Sequence, residues 1–137
     1  MASPTKIAVV GLGSMGYGIA QSVLRAGHHV WGVDLNSDAV ARFQAEGGRR
    51  DLIPDDLDAL VVVVLNAAQT EAVLFGPEGL AQKCRPGAAI VACATVPPDF
   101  ARDMEARAEA EGLSYLDAPI SGGSVKAAAG ALTIMAA

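Results

Sequence analysis

The stretch "KIAVVGLGSMGYG", residues 6–18, decides the fold. Its first part, Lys6 to Val10, is a short run rich in β-branched residues without polar alternation, the pattern of a strand buried on both faces. Directly behind it Gly11, Gly13 and Gly16 stand in the spacing GxGxxG. Met15, Ile19 and Val23 then recur every fourth residue, which is a helical period. The spacing alone is weak evidence, but a strand before it and a helix after it are the context that dinucleotide binding demands. Gly11 permits the tight turn, Gly13 lets backbone approach a pyrophosphate, and Gly16 lets helix and strand pack closely. The first N–H groups of the helix and its positive dipole end then face the phosphates. With Leu12, Ser14 and Met15 between them, these glycines are the first candidate cofactor contacts.

The discriminating residue is Asp34, eighteen positions beyond Gly16 and at the end of a second strand read from His29 to Asp34. An acid there accepts hydrogen bonds from the adenosine ribose hydroxyls and repels a 2′-phosphate, which selects NAD over NADP. Leu35 and Asn36 follow, and no arginine does. The bland alternative is a structural glycine turn with Asp34 as a solvated strand end. A methyltransferase-like nucleoside site would also use an acid after the second strand, but the third glycine inside the first helical turn speaks against it.

Outward from this stretch, strand-like and helix-like segments alternate with short connections, the signature of a parallel sheet covered by helices. Gly27 caps the first helix, and Asn36 or Ser37 opens a second running to about Glu46. A third strand is read over Leu60 to Leu65, a helix from Gln69 to Leu74, and a fourth strand at 88–94 behind the Pro86-Gly87 turn. Pro97 and Pro98 suit the first turn of a helix that places Phe100, Met104 and Ala108 on one face. Ser114 to Asp117 is a fifth strand, and "ALTIMAA" at 131–137 reads as a sixth. Residues 47–58 show no apolar period and read as loop. The fold class is therefore α/β, a Rossmann-type doubly wound parallel sheet of about six strands in a single dinucleotide-binding domain spanning 1–137.

Composition excludes several other classes. With 137 residues, 52% hydrophobic and 18% charged, the chain has the apolar surface for one core. A net charge of -5 with ten scattered basic residues argues against nucleic acid or an anionic membrane as partner. "ALVVVVL" at 59–65 is far too short to span a bilayer, and "MASPTK" is no signal peptide, so a cytoplasmic location is expected. Cys84 and Cys93 form no CxxC pair, and the adjacent His28 and His29 have no ligand at metal spacing, so both thiols read as reduced and no metal site is expected.

Ligands of open α/β sheets lie beyond the carboxyl ends of the strands. Leu65, Asn66 and Thr70 follow the third strand and Thr95 the fourth. Asn66 and Thr95 read equally well as helix caps. After the fifth strand comes "DAPISGG", 117–123, where Ser121, Gly122 and Gly123 could turn backbone N–H groups toward a small carboxylate. Lys126 reads as a surface lysine.

"GLGSMGYGIA", "RAGHHVWGVDLN", "VVVLNAAQTEAVLFG" and "DAPISGGSVKAAAGALTIMA" together resemble the N-terminal domain of the β-hydroxyacid dehydrogenases, the group that includes 3-hydroxyisobutyrate dehydrogenase. "NAAQ" and "SGGSVKAA" are most similar to the branch acting on L-threonate. The resemblance covers essentially the whole chain. It implies oxidation of a hydroxy acid by hydride transfer to NAD or NADP. It gives Gly11 to Gly16 and Asp34 to the cofactor, Leu65, Asn66, Thr70 and Thr95 to its nicotinamide side, and Ser121 to Gly123 to the substrate carboxylate. The family's catalytic lysine lies in a second, all-helical domain, and none of Lys6, Lys83 and Lys126 matches its motif. The chain is thus expected to bind cofactor without turnover, its full-length form to be a homo-oligomer. Residues 47–58 are shorter than in the family. A non-catalytic NAD-sensing module and the NADP-dependent imine reductases are the alternatives, and Asp34 counts against the second.

Overall fold

The computed structural model describes residues 4–121, 126–127, 129–131 and 133–134. Strands β1 (Lys6–Val10), β2 (His29–Val33), β3 (Leu57–Val62), β4 (Cys84–Ala92) and β5 (Ser114–Asp117) form one parallel sheet in the order β2-β1-β3-β4-β5. Helices α1 (Gly16–Arg25), α2 (Ser37–Ala45), α3 (Ala67–Phe75) and α4 (Pro98–Ala110) connect them, with a 3-10 turn at Leu80–Lys83 before β4. Val33, Val10, Val62, Ala92 and Asp117 lie side by side across the five strands. All five strands therefore end in one row, and every loop that could reach a ligand leaves from the same edge.

Alternate residues of each strand feed two cores, as the period of two requires. Ala8, Val10, Trp31, Leu60, Val62 and Ile90 pack with Leu74 of α3 and with Met104 and Ala108 of α4. Val9 and Val30 face the other way, toward Tyr17 and Ala20 of α1 and Phe43 of α2. Helices thus cover both faces, which is the doubly wound arrangement.

Several boundaries differ from those read in the sequence, each for a physical reason. Among the described residues the parallel sheet has five strands, close to the six or so expected. Ala118 N–H still bonds the Ala92 carbonyl at 2.8 Å, but Pro119 has no N–H to continue the ladder. The chain leaves the sheet there, and Ile120–Ser121 (β6) pairs antiparallel with Thr133–Ile134 (β7) in a separate ribbon. The remainder of the "ALTIMAA" segment is described only at Ala131.

The third strand begins at Leu57 rather than Leu60 and stops at Val62, where the Val10 partner turns away. Leu57 is fully buried and pairs with Cys84, so β4 also starts earlier than expected, with Arg85, Pro86 and Gly87 exposed at a break in register. The connecting segment before β3 is tied across the edge of β2. Arg49 N–H donates to the Val30 carbonyl at 2.8 Å, and Trp31 Nε1 donates to the Asp51 carbonyl at 3.1 Å.

In α1 the helical period is correct but its phase is rotated. Gly16, Tyr17, Gly18 and Ala20 are the buried positions, whereas Met15, Ile19 and Val23 are half-buried. Contact between Gly16 and the turn sets that phase, as the site geometry makes plain.

Candidate functional site

Gly11 closes the first turn. Its φ is +96°, its N–H donates to the Val33 carbonyl at 2.8 Å, and a Cβ there would overlap the Val63 carbonyl oxygen. Gly16 is fixed by another neighbour, since its Cβ would overlap the carbonyl oxygen of Gly11. The protein's own packing therefore demands both glycines. Gly13 differs: its φ lies outside the left-handed region, and a Cβ would meet nothing within 4 Å. Nothing inside the chain requires a glycine there, so the space a side chain would fill is left open at the surface.

The helix that starts here is left uncapped. Met15 occupies the N-cap without a side-chain hydrogen bond, and the first turn carries no acid. Among the described residues, the N–H groups of Gly13, Ser14 and Met15 have no partner. Free amides, a positive dipole end and an open Gly13 form a cradle for an anionic group brought from outside. These residues fit the diphosphate of a dinucleotide. By contrast, Asn36 caps α2, its Oδ1 accepting from Asp38 and Ala39 at 3.0 and 3.3 Å. That oxygen caps the helix, and Asn36 itself stays exposed beside Asp34.

Asp34 follows β2 and joins the two ends of the turn. Its Oδ2 accepts from Leu12 N–H at 2.6 Å and its Oδ1 from Asn36 N–H at 2.8 Å. The carboxylate is thereby fixed beside the glycine turn, with lone pairs remaining for further donors such as ribose hydroxyls. Leu12 contributes this amide alone, because its side chain is buried beneath the turn. Leu35 is fully exposed, and Gly13 and Ser14 are also exposed.

At the other strand ends the expected residues separate. Leu65 is 85% exposed at the end of β3, and its N–H donates to Gln69 Oε1 at 2.8 Å. Asn66 is exposed and acts as the cap of α3, its Oδ1 accepting from Gln69 N–H at 2.9 Å. Thr70 is not at the surface: it is 1% exposed, and its hydroxyl donates to the Asn66 carbonyl at 2.9 Å, holding the turn from below. Thr95 is exposed and is not the cap of its helix, since Pro97 occupies that position. Cys93, between Ala92 and Thr95, is buried, and desolvation pushes its thiol up to about 11. Ser121 lies in β6, while Gly122 and Gly123 fall outside the described residues.

Two residues that the sequence reading did not mark flank the turn. Tyr17 and Arg42 line an open groove of about 330 Å³ together with Leu12, Gly13, Ser14 and Gln21. No sequence motif joins them, because they sit on different helices and meet only through the packing of α1 against α2. Among the described residues no group of three His, Cys, Asp or Glu could hold a metal ion, and no helix is long and apolar enough to cross a membrane.

The chain matches, over residues 6–137, the family model described as the NAD binding domain of 6-phosphogluconate dehydrogenase. It is 47% identical over 133 residues to an L-threonate dehydrogenase of Cupriavidus necator, covering 94% of this chain and 45% of that protein. An L-threonate dehydrogenase of Escherichia coli is 46% identical over 135 residues, with 95% and 45% covered. Among solved structures, a 3-hydroxyisobutyrate dehydrogenase from Salmonella typhimurium superposes with a TM-score of 0.90 at 45% identity, covering 96% of this chain and 47% of that one. The chain therefore spans about half the length of the curated relatives it matches.

Proposed function

This chain belongs to the β-hydroxyacid dehydrogenase family as its NAD-binding domain, and from that premise we propose that it serves an enzyme oxidising L-threonate or a similar hydroxy acid. The observation that carries the reading is the pairing of an open Gly13 with a fixed Asp34. Gly13, Ser14 and Met15 offer their amides to the cofactor diphosphate. Asp34 accepts from the ribose hydroxyls, and its charge, held in place by two backbone donors, repels the 2′-phosphate of NADP. Leu65 and Thr95, exposed at the ends of β3 and β4, flank the nicotinamide end. Asn66 and Thr70 support that end by shaping the turn. NAD, when bound, accepts the hydride.

Ser121, in β6 after the end of β5, and Gly122 and Gly123, next in the sequence, seat the substrate carboxylate through backbone N–H groups in this reading. Removing the hydroxyl proton needs a base. Lys6 and Lys83 are at the opposite edge, at the amino ends of β1 and β4, and are ion-paired with Asp56 at 2.6 Å and Asp55 at 3.1 Å. The base belongs instead to the part of the longer relatives that this chain does not match. The isolated chain binds NAD without turning over, while the full-length form is a cytoplasmic homo-oligomer. The test is a dehydrogenase assay with L-threonate and NAD alongside an NADH titration of the same sample. Binding without activity supports the reading, and steady NADH production by the isolated chain contradicts the assignment of the base.

A further inference from the structure

The segment that connects α2 to β3 is held on the sheet by one cluster, away from the glycine turn. Nε and Nη2 of Arg49 donate to the two carboxylate oxygens of Asp51, each at 3.0 Å. Its Nη1 lies 3.0 Å from Nδ1 of His29, and its Cζ stands 5.3 Å from the centroid of the Trp31 ring. A guanidinium has donors only, so His29 Nδ1 is the acceptor and carries no proton there. Alongside, the Arg49 N–H donates to the Val30 carbonyl at 2.8 Å, and Trp31 Nε1 donates to the Asp51 carbonyl at 3.1 Å. His29, Val30 and Trp31 belong to β2, which is the edge strand of the sheet. Apart from the fork between Arg49 and Asp51, each of these contacts crosses from the connector to that strand.

Protonation of His29 Nδ1 removes the lone pair that accepts from Arg49 and sets a second positive charge against the guanidinium. The other charges near His29 do not offset this. Lys6, its register partner in β1, is a further cation and is already ion-paired with Asp56 at 2.6 Å. Asp51 attracts an imidazolium, but both its oxygens hold the Arg49 fork, which keeps its carboxyl below the usual carboxylate range. A charged His29 therefore reaches Asp51 only by displacing the guanidinium. Arg50 is exposed beside Arg49, and His28 is engaged separately, its Nδ1 accepting from the Thr5 N–H at 3.3 Å. We propose that His29 and Arg49 form an acid-released latch over Trp31, holding residues 49–51 on the outer edge of β2 while the imidazole is neutral and letting them lift when it is charged. The latched form binds one proton fewer than the released form. It is therefore favoured at high pH and opens as pH falls through the range in which imidazoles titrate, about pH 8 to 5. Release bares the Val30 carbonyl and the Trp31 side chain, which is buried while latched, on the strand that leads into Asp34.

Trp31 is the chain's one tryptophan, so its indole N–H gives a single signal in NMR spectra. Solvent exchange of that N–H and of the Arg49 amide is measured on the native chain from about pH 7.5 to about pH 5.5, each rate divided by that of an unstructured peptide at the same pH. Protection of both should fall roughly three- to tenfold over that range, the worth of one partly exposed hydrogen bond to a charged donor. Amides of β1 and β3 should keep theirs, and the His29 ring signal should step at the pH where protection falls. His29→Gln, which has no imidazole to charge, should show no fall, whereas His28→Gln should keep it. Arg49→Gln should be released throughout, with low indole protection at both ends of the range and the central strands unchanged. Level protection in the native chain, or a fall that persists in His29→Gln, overturns the proposal. So does a fall shared by the amides of β1 and β3, which would mark global unfolding. Should His29→Gln fail to fold, the native chain decides: a His29 step at a pH other than that of the lost protection overturns the latch.

Discussion

Replacing Gly13 by alanine should remove cofactor binding while leaving the fold intact, whereas the same change at Gly16 should damage the fold. At Gly13 the new methyl meets nothing within 4 Å, and the backbone is not left-handed. A glycine-to-alanine change at a compatible position stabilises by about 0.4–1 kcal/mol, because the unfolded chain loses freedom. For a domain of this size that corresponds to a rise of roughly 1–4 °C in melting temperature. At Gly16 the methyl would overlap the Gly11 carbonyl oxygen, a backbone atom that cannot rotate away. The start of α1 must shift off the sheet, at a cost of about 1–3 kcal/mol or more, and the melting temperature falls by several degrees. For the ligand the order reverses. A methyl at Gly13 stands in the open space over which the diphosphate must lie, so NADH affinity should drop at least about tenfold, or 1.4 kcal/mol. Thermal melts and NADH fluorescence titrations of the two variants measure both quantities. A Gly13→Ala protein that melts well below the native chain, or binds NADH equally well, would show that Gly13 does not keep open the space for the diphosphate.

Three further outcomes follow from the geometry. Asp34→Asn removes the charge that accepts from Leu12 and Asn36. It should cost about 1–2 kcal/mol of stability and bring the affinities for NADH and NADPH together, and a preserved preference for NADH would assign the selectivity elsewhere. Asp58 is held below the usual carboxylate range by the Lys6 N–H and then by Arg85. Its contribution is present above its unfolded pKa and is lost as pH falls through the folded one. Stability should therefore decline from about pH 5 downward, and Asp58→Asn should flatten that slope in acid melts; an unaltered slope would show that other carboxylates carry it. Burial pushes the Cys84 and Cys93 thiols up to about 11, leaving almost no thiolate at pH 8. Both should react with a disulfide reagent more slowly than free cysteine, buried Cys93 more slowly than half-buried Cys84, and rapid labelling of both thiols in the native chain would contradict this.

The order of elements and the glycine turn were legible because each depends on local chemistry. A β-branched run, a GxGxxG turn, the Asn36 cap and the Pro97–Pro98 helix start are all properties of a few adjacent residues. What the sequence concealed depends on packing. The phase of α1 is set by Gly16 against Gly11, which no period in Met15, Ile19 and Val23 reveals. Leu57 enters β3 because Cys84 is there to pair with it, and Pro119, which has no N–H, ends the pairing of β5 with β4. At the site, Asn66 and Thr95 looked alike, yet only Asn66 caps its helix. Thr70, one turn further along α3, is buried with its hydroxyl on the Asn66 carbonyl. Tyr17 and Arg42 escaped notice because their meeting requires two helices to be packed.

Gly13 and Asp34 together define the NAD site of this chain in the reading proposed above. Calorimetric titration of the purified chain with NADH, and separately with NADPH, tests it most directly. One saturable site for NADH and clearly weaker binding of NADPH are expected. Absence of binding at millimolar NADH, or an equal or greater affinity for NADPH, would contradict it.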